Sequence, residues 1–349
     1  MNSLQEVPSG YPAATTRSQS VVLGRQDYFS VVFRLIGMEL YKIRRRAMSK
    51  VLGILSIVAV LATFTLFAII ISIMLSSPAS SFTPSSCSDT GQGVKCTKPQ
   101  LTPAQEEQFK QNAIENNSQP LRLPTSLSLA VGVIQRLGMI LIIILVGSIV
   151  GGEYGIGTVR LLFTRGPTRT QFLLAKIGVA LFCIAVSLLV LTLFGILLGL
   201  AFNPLSGVVQ NFTFFSAAWL AHTLLFLLVA ILGLFMYAMM ALFLGTLGRT
   251  TAAGVAGALA WGLIEPVIGT ILSGIGNAIG GRTGDILKGI PDYFIGNNID
   301  VLIQNQSQYV FGGAAASLSD VHALLVLGSY LVVFIGLSWL VTVRRDVTN

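Results

Sequence analysis

Charged residues are scarce in this chain of 349 residues, because Asp, Glu, Lys and Arg together make up only 10% of it. Soluble domains carry about 25%, so this composition excludes an ordinary soluble globular protein. Hydrophobic residues reach 53% and the mean hydropathy is +0.78, values typical of an integral membrane protein. The net charge of +8 comes from basic residues beside apolar segments. No basic groove interleaved with aromatic residues is found, so we expect no nucleic-acid partner.

The sequence also lacks the motifs of common catalytic and nucleotide-binding sites. It has no G-x-x-x-x-G-K-[ST] segment and therefore cannot hold nucleotide phosphates with a P-loop. It has no G-x-S-x-G or H-E-x-x-H segment either. Its two histidines, His222 and His322, show no metal-ligand spacing. We therefore expect no enzyme activity, no cofactor and no metal site in this chain itself.

Cysteine is rare, with three residues in the whole chain. Cys183 lies in an apolar run and is expected to be inert. Cys87 and Cys96 lie nine residues apart in a polar segment. If that segment is external, a disulfide between them is favoured, and two free thiols are the alternative.

The amino-terminal part holds two segments that do not cross a membrane. Residues 1–26 are polar and are predicted to form a disordered cytoplasmic tail. In residues 27–47, apolar side chains recur at helical spacing and cationic side chains fill much of the rest. This pattern predicts an amphipathic elbow helix in the membrane interface. The alternative is a cytoplasmic extension that packs on a partner.

Six apolar segments are long enough to cross a hydrocarbon core, which needs about 20 residues. They predict an all-α membrane protein, with a six-helix transmembrane domain over residues 48–349. Two polar segments, 76–126 and 276–320, are predicted as sizeable external loops, the second either re-entrant or packed externally. The predicted spans are 51–75, 127–152, 172–202, 214–246, 251–275 and 321–343.

The distribution of basic residues orients these spans. From residue 25 onward, fourteen Lys and Arg residues flank the spans on the side of the amino terminus, and six fall in the segments on the other side. Because cytoplasmic loops carry the excess of basic residues, both termini are predicted to be cytoplasmic. The prediction is a multi-pass protein of the plasma membrane.

Two ionisable residues within the predicted spans are candidates for a translocation path. Arg136, near the outer end of the second span, either snorkels to the membrane boundary or faces a cavity or partner inside it. Glu265, followed by Pro266, lies deep in the fifth span. It either lines a path, near Arg136, or stabilises a kink as a protonated or backbone-bonded group.

The most distinctive stretch is the 151–176 hairpin between the second and third spans. It reads Glu-Tyr-x-x-Gly-Thr-x-Arg, then Leu-Leu-Phe, then Pro-x-Arg and finally Lys. The residues of this pattern are Glu153, Gly157, Thr158, Arg160, Leu161, Leu162, Phe163, Pro167, Arg169 and Lys176. The pattern resembles the cytoplasmic loop between the second and third helices in permease subunits of type-2 ABC exporters. Its Pro-x-Arg corner is one residue tighter than the commonest spacing.

This resemblance implies a transport function and two protein partners. A coupling helix around 159–163 would dock on a separate ABC ATPase subunit, which would bind the ATP and Mg. A second permease copy, in a homodimer or a heterodimer, would complete a path lined by the second and fifth spans. The expected cargo is an amphipathic small molecule, a lipid or a peptide.

Two alternatives to this interpretation stay open. The arginines of the hairpin could simply anchor it to anionic membrane lipid. The whole chain could instead be a membrane sensor or binding module that recognises a ligand through its external loops.

Overall fold

The structure is a computed structural model that describes residues 28–83, 86–89, 94–97, 101–155, 167–207 and 209–344. Within these ranges the chain is helical apart from short connections and one pair of strands. The helices are α1 (Tyr28–Arg45), α2 (Ala47–Ser76), α3 (Pro103–Ser118), α4 (Thr125–Val133), α5 (Met139–Gly155), α6 (Arg169–Phe202), α7 (Ala217–Gly248), α8 (Thr251–Ile279), α9 (Gly281–Gly289), α10 (Ile295–Phe311) and α11 (Asp320–Arg344). The antiparallel strands are β1 (Ser86–Asp89) and β2 (Val94–Thr97).

Among the described residues, six helices are long and apolar enough to cross a membrane. They are α2, the continuous helix formed by α4 and α5, then α6, α7, α8 and α11. A π-helical segment, Ile134–Gly138, joins α4 to α5. The chain is therefore a multi-pass, all-α membrane protein, and the ends of these six helices lie within four residues of the predicted span ends.

Side-chain caps determine where three of the long helices begin. Thr168 caps α6 by accepting a hydrogen bond from the backbone N–H of Gln171, whose side chain in turn accepts one from the N–H of Thr168. Ser216 and Thr250 cap α7 and α8 in the same way, without the reciprocal bond. Such caps satisfy N–H groups that the first turn of a helix leaves unpaired. As a result, α6 begins directly after the Pro-Thr corner of the hairpin.

Helix α7 lies at the centre of the bundle and packs against α5, α8, α10 and α11. Helices α7 and α5 both approach α8 closely, because small residues face the backbone of the neighbouring helix where the helices cross. A Cβ atom at Gly254 would lie 2.9 Å from the carbonyl oxygen of Ala241, and one at Gly151 would lie 2.5 Å from that of Thr250. Helix α8, the Gly-rich fifth span, thus packs closely against its neighbours, as is common for membrane helices with small residues at their contacts.

The 276–320 segment is mostly helical, although the sequence predicts a loop there. Helix α8 extends to Ile279, α9 folds back along it, and α10 packs against α7 and α11. Glycines make the return of α9 possible, since a Cβ at Gly284 would lie 2.3 Å from the carbonyl oxygen of Gly276. The segment therefore adds a packed layer to the bundle.

Contacts between helix termini define two ends of the bundle. At the hairpin end, where α5 ends and α6 begins, the Tyr28 hydroxyl of α1 donates a hydrogen bond to Thr170 of α6 at 3.0 Å. The carboxyl end of α11 also lies there. At the opposite end, Lys110 of α3 donates to the last turn of α2, at the carbonyl oxygen of Leu75. The start of the first described helix and the end of the last one thus lie at the same end of the bundle.

Candidate functional site

Four charged side chains form a closed ring at the hairpin end, and we call Glu39, Lys42, Glu153 and Lys176 the charge ring. Nζ of Lys176 lies 2.8 Å from Oε2 of Glu39 and 2.8 Å from Oε2 of Glu153. Nζ of Lys42 lies 2.7 Å from Oε1 of Glu39 and 3.1 Å from Oε1 of Glu153. Each carboxylate therefore contacts both ammonium groups, and the ring is formally neutral.

The charge ring joins three separate helices across the base of the hairpin. Glu39 and Lys42 come from α1, Glu153 lies in the last turns of α5, and Lys176 lies in the second turn of α6. The side chain of Lys176 is only 2% exposed, whereas that of Lys42 is 43% exposed. Charges that are buried in this way are tolerated only when they are paired and hydrogen-bonded. The two flanks of the hairpin are consequently held to each other and to α1.

The electrostatics of α1 favour the charged state of the ring. Burial would raise the pKa of the Glu39 carboxyl, but the ammonium groups of Lys176 and Lys42 outweigh it and hold that pKa below its usual value. Burial likewise opposes the charged form of Lys42, but the carboxylates of Glu39 and Glu153 raise its pKa above the usual value. Both groups of α1 therefore stay ionised at neutral pH.

Other hairpin residues of the described part of the chain are used within the chain. Arg169 donates hydrogen bonds to the carbonyl oxygens of Thr342 and Val343, at 3.3 and 2.8 Å. A cation at the carboxyl end of a helix satisfies unpaired carbonyls and complements the helix dipole. Pro167 lies directly before the capping residue of α6. Both residues thus connect the hairpin to the ends of α6 and α11.

The central part of the hairpin lies outside the described residues, which stop at 155 and resume at 167. The predicted coupling residues in this gap are Gly157, Thr158, Arg160, Leu161, Leu162 and Phe163. Their role stays a prediction.

A second candidate site is the Glu265 cavity, a space of about 640 Å³ towards the opposite end of the bundle. Its wall includes both residues predicted for a translocation path, Glu265 and Arg136. Glu265 is only 3% exposed, and its Oε1 accepts a short hydrogen bond from the backbone N–H of Gly296. Gly296 is in the first turn of α10, so the carboxyl group lies at the amino terminus of that helix, where anions are favoured.

The π-helical segment carries two polar residues of the cavity wall. Gln135 donates to the carbonyl oxygen of Ala230 at 2.6 Å. Arg136 reaches Asp300 of α10 at 3.5 Å, and both side chains of this pair are largely exposed. Single π turns within α-helices occur frequently at functional sites. The structure thus brings Arg136 and Glu265 to one cavity.

The charge ring and the contact of Glu265 with α10 are features that sequence reasoning missed. The apolar pattern of residues 27–47 placed Glu39 among the polar residues of an interfacial helix, but the structure buries it at 6% exposure. One sequence signal could have indicated the ring: two acidic and two basic residues lie next to the ends of apolar segments. Likewise, the position of Glu265 within an apolar segment could have indicated that its carboxylate contacts the amino terminus of another helix.

The remaining sequence candidates are cysteines and metal ligands. Cys87 and Cys96 lie directly opposite each other in the register of β1 and β2, a spacing that is compatible with a disulfide. The disulfide itself stays a prediction. Cys183 is a free cysteine of α6. Among the described residues, no group of three or more His, Cys, Asp and Glu side chains is placed to hold a metal ion.

Comparison with known proteins gives one informative match. No curated protein matches the chain. Residues 123–348, more than half of the chain, match a family described as "Protein of unknown function (DUF2705)". The matched region includes the hairpin and the Glu265 cavity, whereas Glu39 and Lys42 precede it. The chain therefore belongs to the DUF2705 family.

Proposed function

We propose that this chain is the permease subunit of an ATP-driven transporter of the type-2 ABC exporter class. A separate ABC ATPase subunit would bind ATP and Mg and would dock on the 151–176 hairpin. A second permease copy would complete the assembly in the plasma membrane, most simply as a homodimer. The cargo would be an amphipathic small molecule, a lipid or a peptide.

The charge ring is the observation that carries this proposal. Because Lys176 and Glu153 join the two flanks of the hairpin, a force applied to residues 156–166 would act on α5 and α6 together. Glu39 and Lys42 extend the same connection to α1. Rigid elements joined by networks of ion pairs can transmit a conformational change over a distance. A hairpin on which an ATPase docks must transmit the movement of the ATPase to the neighbouring helices in this way.

The surface of α1 supports the proposed elbow helix. Val32 and Leu35 are buried against the bundle, whereas Phe29 and Phe33 are each 70% exposed. The basic residues of 44–46 follow at its carboxyl end. A helix with exposed aromatic residues and neighbouring cations suits the headgroup region of an anionic membrane leaflet. These features support the proposal that the hairpin end lies on the cytoplasmic side, where an ATPase would bind.

Co-purification followed by ATPase assays would test the proposal. The wild-type chain would be co-expressed with a candidate ABC ATPase subunit from the same organism, and the complex would be reconstituted in lipid nanodiscs. We expect a stable complex with two permease chains. We also expect Arg160→Glu to reduce complex formation and ATP turnover by about tenfold, because a charge reversal within a docking surface is strongly unfavourable.

Arg282→Glu provides the matched control, because Arg282 is an exposed residue of α9 at the opposite end of the bundle. The same change of charge there should leave complex formation and turnover within twofold of the wild type. Absence of a complex with the wild-type chain would refute the exporter function and favour the membrane sensor. A complex with a single permease chain would refute the dimer.

A further inference from the structure

The Glu265 cavity combines a carboxyl group at its base with a second one at its mouth. Glu265 of α8 is almost fully buried, whereas the side chain of Asp300 is 58% exposed. Arg136 is the one cation in the described wall, and it lies at the mouth, 3.5 Å from Asp300. With both carboxyl groups ionised, the cavity therefore carries one net negative charge, which comes from its interior.

Glu265 has an incomplete set of hydrogen bonds. Its Oε1 accepts from Gly296, but its Oε2 is buried and makes no hydrogen bond of normal geometry within the described part of the chain. The indole N–H of Trp261 and the backbone N–H of Asn297 supply only weak additional hydrogen bonds to the carboxyl group. A buried carboxylate oxygen that lacks a hydrogen bond of normal geometry is costly. A positive charge in the cavity would compensate for it, since Coulomb interactions are strong where water is excluded.

The remainder of the wall suits an apolar body with a few polar groups. Its apolar part is provided by Met139, Tyr237, Pro266, Pro291, Phe294 and Ile299. Amide and hydroxyl groups of Gln135, Asn277 and Ser273 supply polar contacts. Aromatic faces also attract organic cations. A space of about 640 Å³ lies within the range of about 300–1,000 Å³ for small-molecule sites.

We propose that the Glu265 cavity is a binding site for an amphipathic organic cation. Glu265 would be the buried counter-charge of the cation, and Asp300 would be the carboxylate that the cation contacts at the mouth of the cavity. Entry of the cation would compete with Arg136 for Asp300. This inference restricts the cargo of the proposed transporter to one chemical class. It rests on the proposed function only because it calls the ligand a cargo. The binding itself needs no ATPase.

Equilibrium binding to the full chain in nanodiscs tests the inference. The probes are tetraphenylphosphonium and tetraphenylborate, which have closely similar shapes and opposite charges, and protein-free nanodiscs supply the background. We expect saturable binding of the phosphonium ion and at least about tenfold weaker binding of the borate ion, a ratio that one favourable and one unfavourable charge contact readily produce. Glu265→Gln should weaken phosphonium binding about tenfold and Asp300→Asn severalfold, and both should strengthen borate binding, because each removes a repulsive charge.

Asp285→Asn is the matched control, because the Asp285 side chain is 73% exposed on α9 and is outside the cavity wall. It should bind the phosphonium ion like the wild type. If Glu265→Gln does not fold, because its carboxyl group contacts α10, Asp300→Asn decides the outcome. Equal binding of the two probes, wild-type affinity in Asp300→Asn, or equal losses in Asp300→Asn and Asp285→Asn would each overturn the inference.

These results are independent of the proposed exporter function. Phosphonium binding without an ATPase complex would retain the cation site and remove the transport role. An active ATPase complex without phosphonium binding would do the reverse.

Discussion

Lys176 places its ammonium nitrogen 2.8 Å from a carboxylate oxygen of Glu153 and thereby joins the two helices on either side of the 156–166 segment. The same nitrogen lies 2.8 Å from Glu39 of α1. One buried side chain thus connects three helices at the hairpin end. Its removal would leave two buried carboxylates with the half-exposed Lys42 as their shared cation.

Lys176→Met should therefore destabilise the protein strongly. We expect a loss of about 3–5 kcal/mol in the free energy of unfolding, the range found when one partner of a buried ion pair is removed. Chemical denaturation in detergent micelles would measure it. Lys288→Met is the control, because Lys288 is 40% exposed and its ion pair, with Asp285, is at the surface. That variant should stay within about 1 kcal/mol of the wild type, and equal losses in both variants would contradict a structural role of the ring.

The ring should also make stability depend on acidity. The pKa of Glu39 is lowered from its ordinary value of 4.5, so its contribution is fully present above about pH 4.5 and is lost as the pH falls through the lowered pKa. Glu39→Gln removes this titration. The difference in melting temperature between the wild type and Glu39→Gln should be constant from pH 7 to about pH 5 and should shrink below pH 4.5. A difference in melting temperature that grows on acidification would contradict the direction of this pKa shift.

Two adjacent glycines offer a test of close packing. A Cβ at Gly151 would lie 2.5 Å from backbone atoms of Thr250, whereas a Cβ at Gly152 would have no atom within 4 Å. Gly151→Ala should lower stability by about 1–3 kcal/mol, the usual cost of overpacking. Gly152→Ala should be neutral or should stabilise the helix by up to about 1 kcal/mol. Thermal melts of the two variants check this, and the reverse order would contradict the described contact of α5 with the turn before α8.

The strand register makes the disulfide prediction testable. Cys87 and Cys96 lie opposite each other in β1 and β2, and a bond between them requires an oxidising compartment. We expect alkylation of the denatured, unreduced protein to label one of its three cysteines, and labelling of all three after reduction. Intact-mass measurement counts the labels. Cys87→Ser should show two labels both before and after reduction, and three labels on the unreduced wild type would rule the disulfide out.

The apolar segments of the sequence predict most of the fold, because membrane-spanning helices are specified by length and hydropathy alone. The packing of α9 on α8 could not be predicted in this way, since Gly276 and Gly284 form a backbone contact that carries no hydrophobic periodicity. Periodicity also fails for Glu39. It identifies the apolar side of α1, but it does not show which polar residue faces the bundle.

The two candidate sites differ in how far the sequence could predict them. Glu265 and Arg136 are conspicuous because charges within apolar segments are costly, and the structure brings both to one cavity. The site also needs Asp300 and Gly296 of α10, which come from a segment that the sequence predicts as a loop. Lys42 and Glu153 are 111 residues apart, and a single sequence gives no means of pairing residues at such a distance.

The π-helical segment between α4 and α5 has a consequence for how this helix tolerates changes in length. A π turn contains one residue more than the surrounding α-helix requires. Deleting one residue within Ile134–Gly138 would therefore restore an ordinary α-helix and leave the faces of α4 and α5 in place. The same deletion in α5 would rotate every later residue by about 100°, and it would turn Glu153 away from Lys176. The extra residue is thus the position at which the length of the second span can vary without breaking the charge ring.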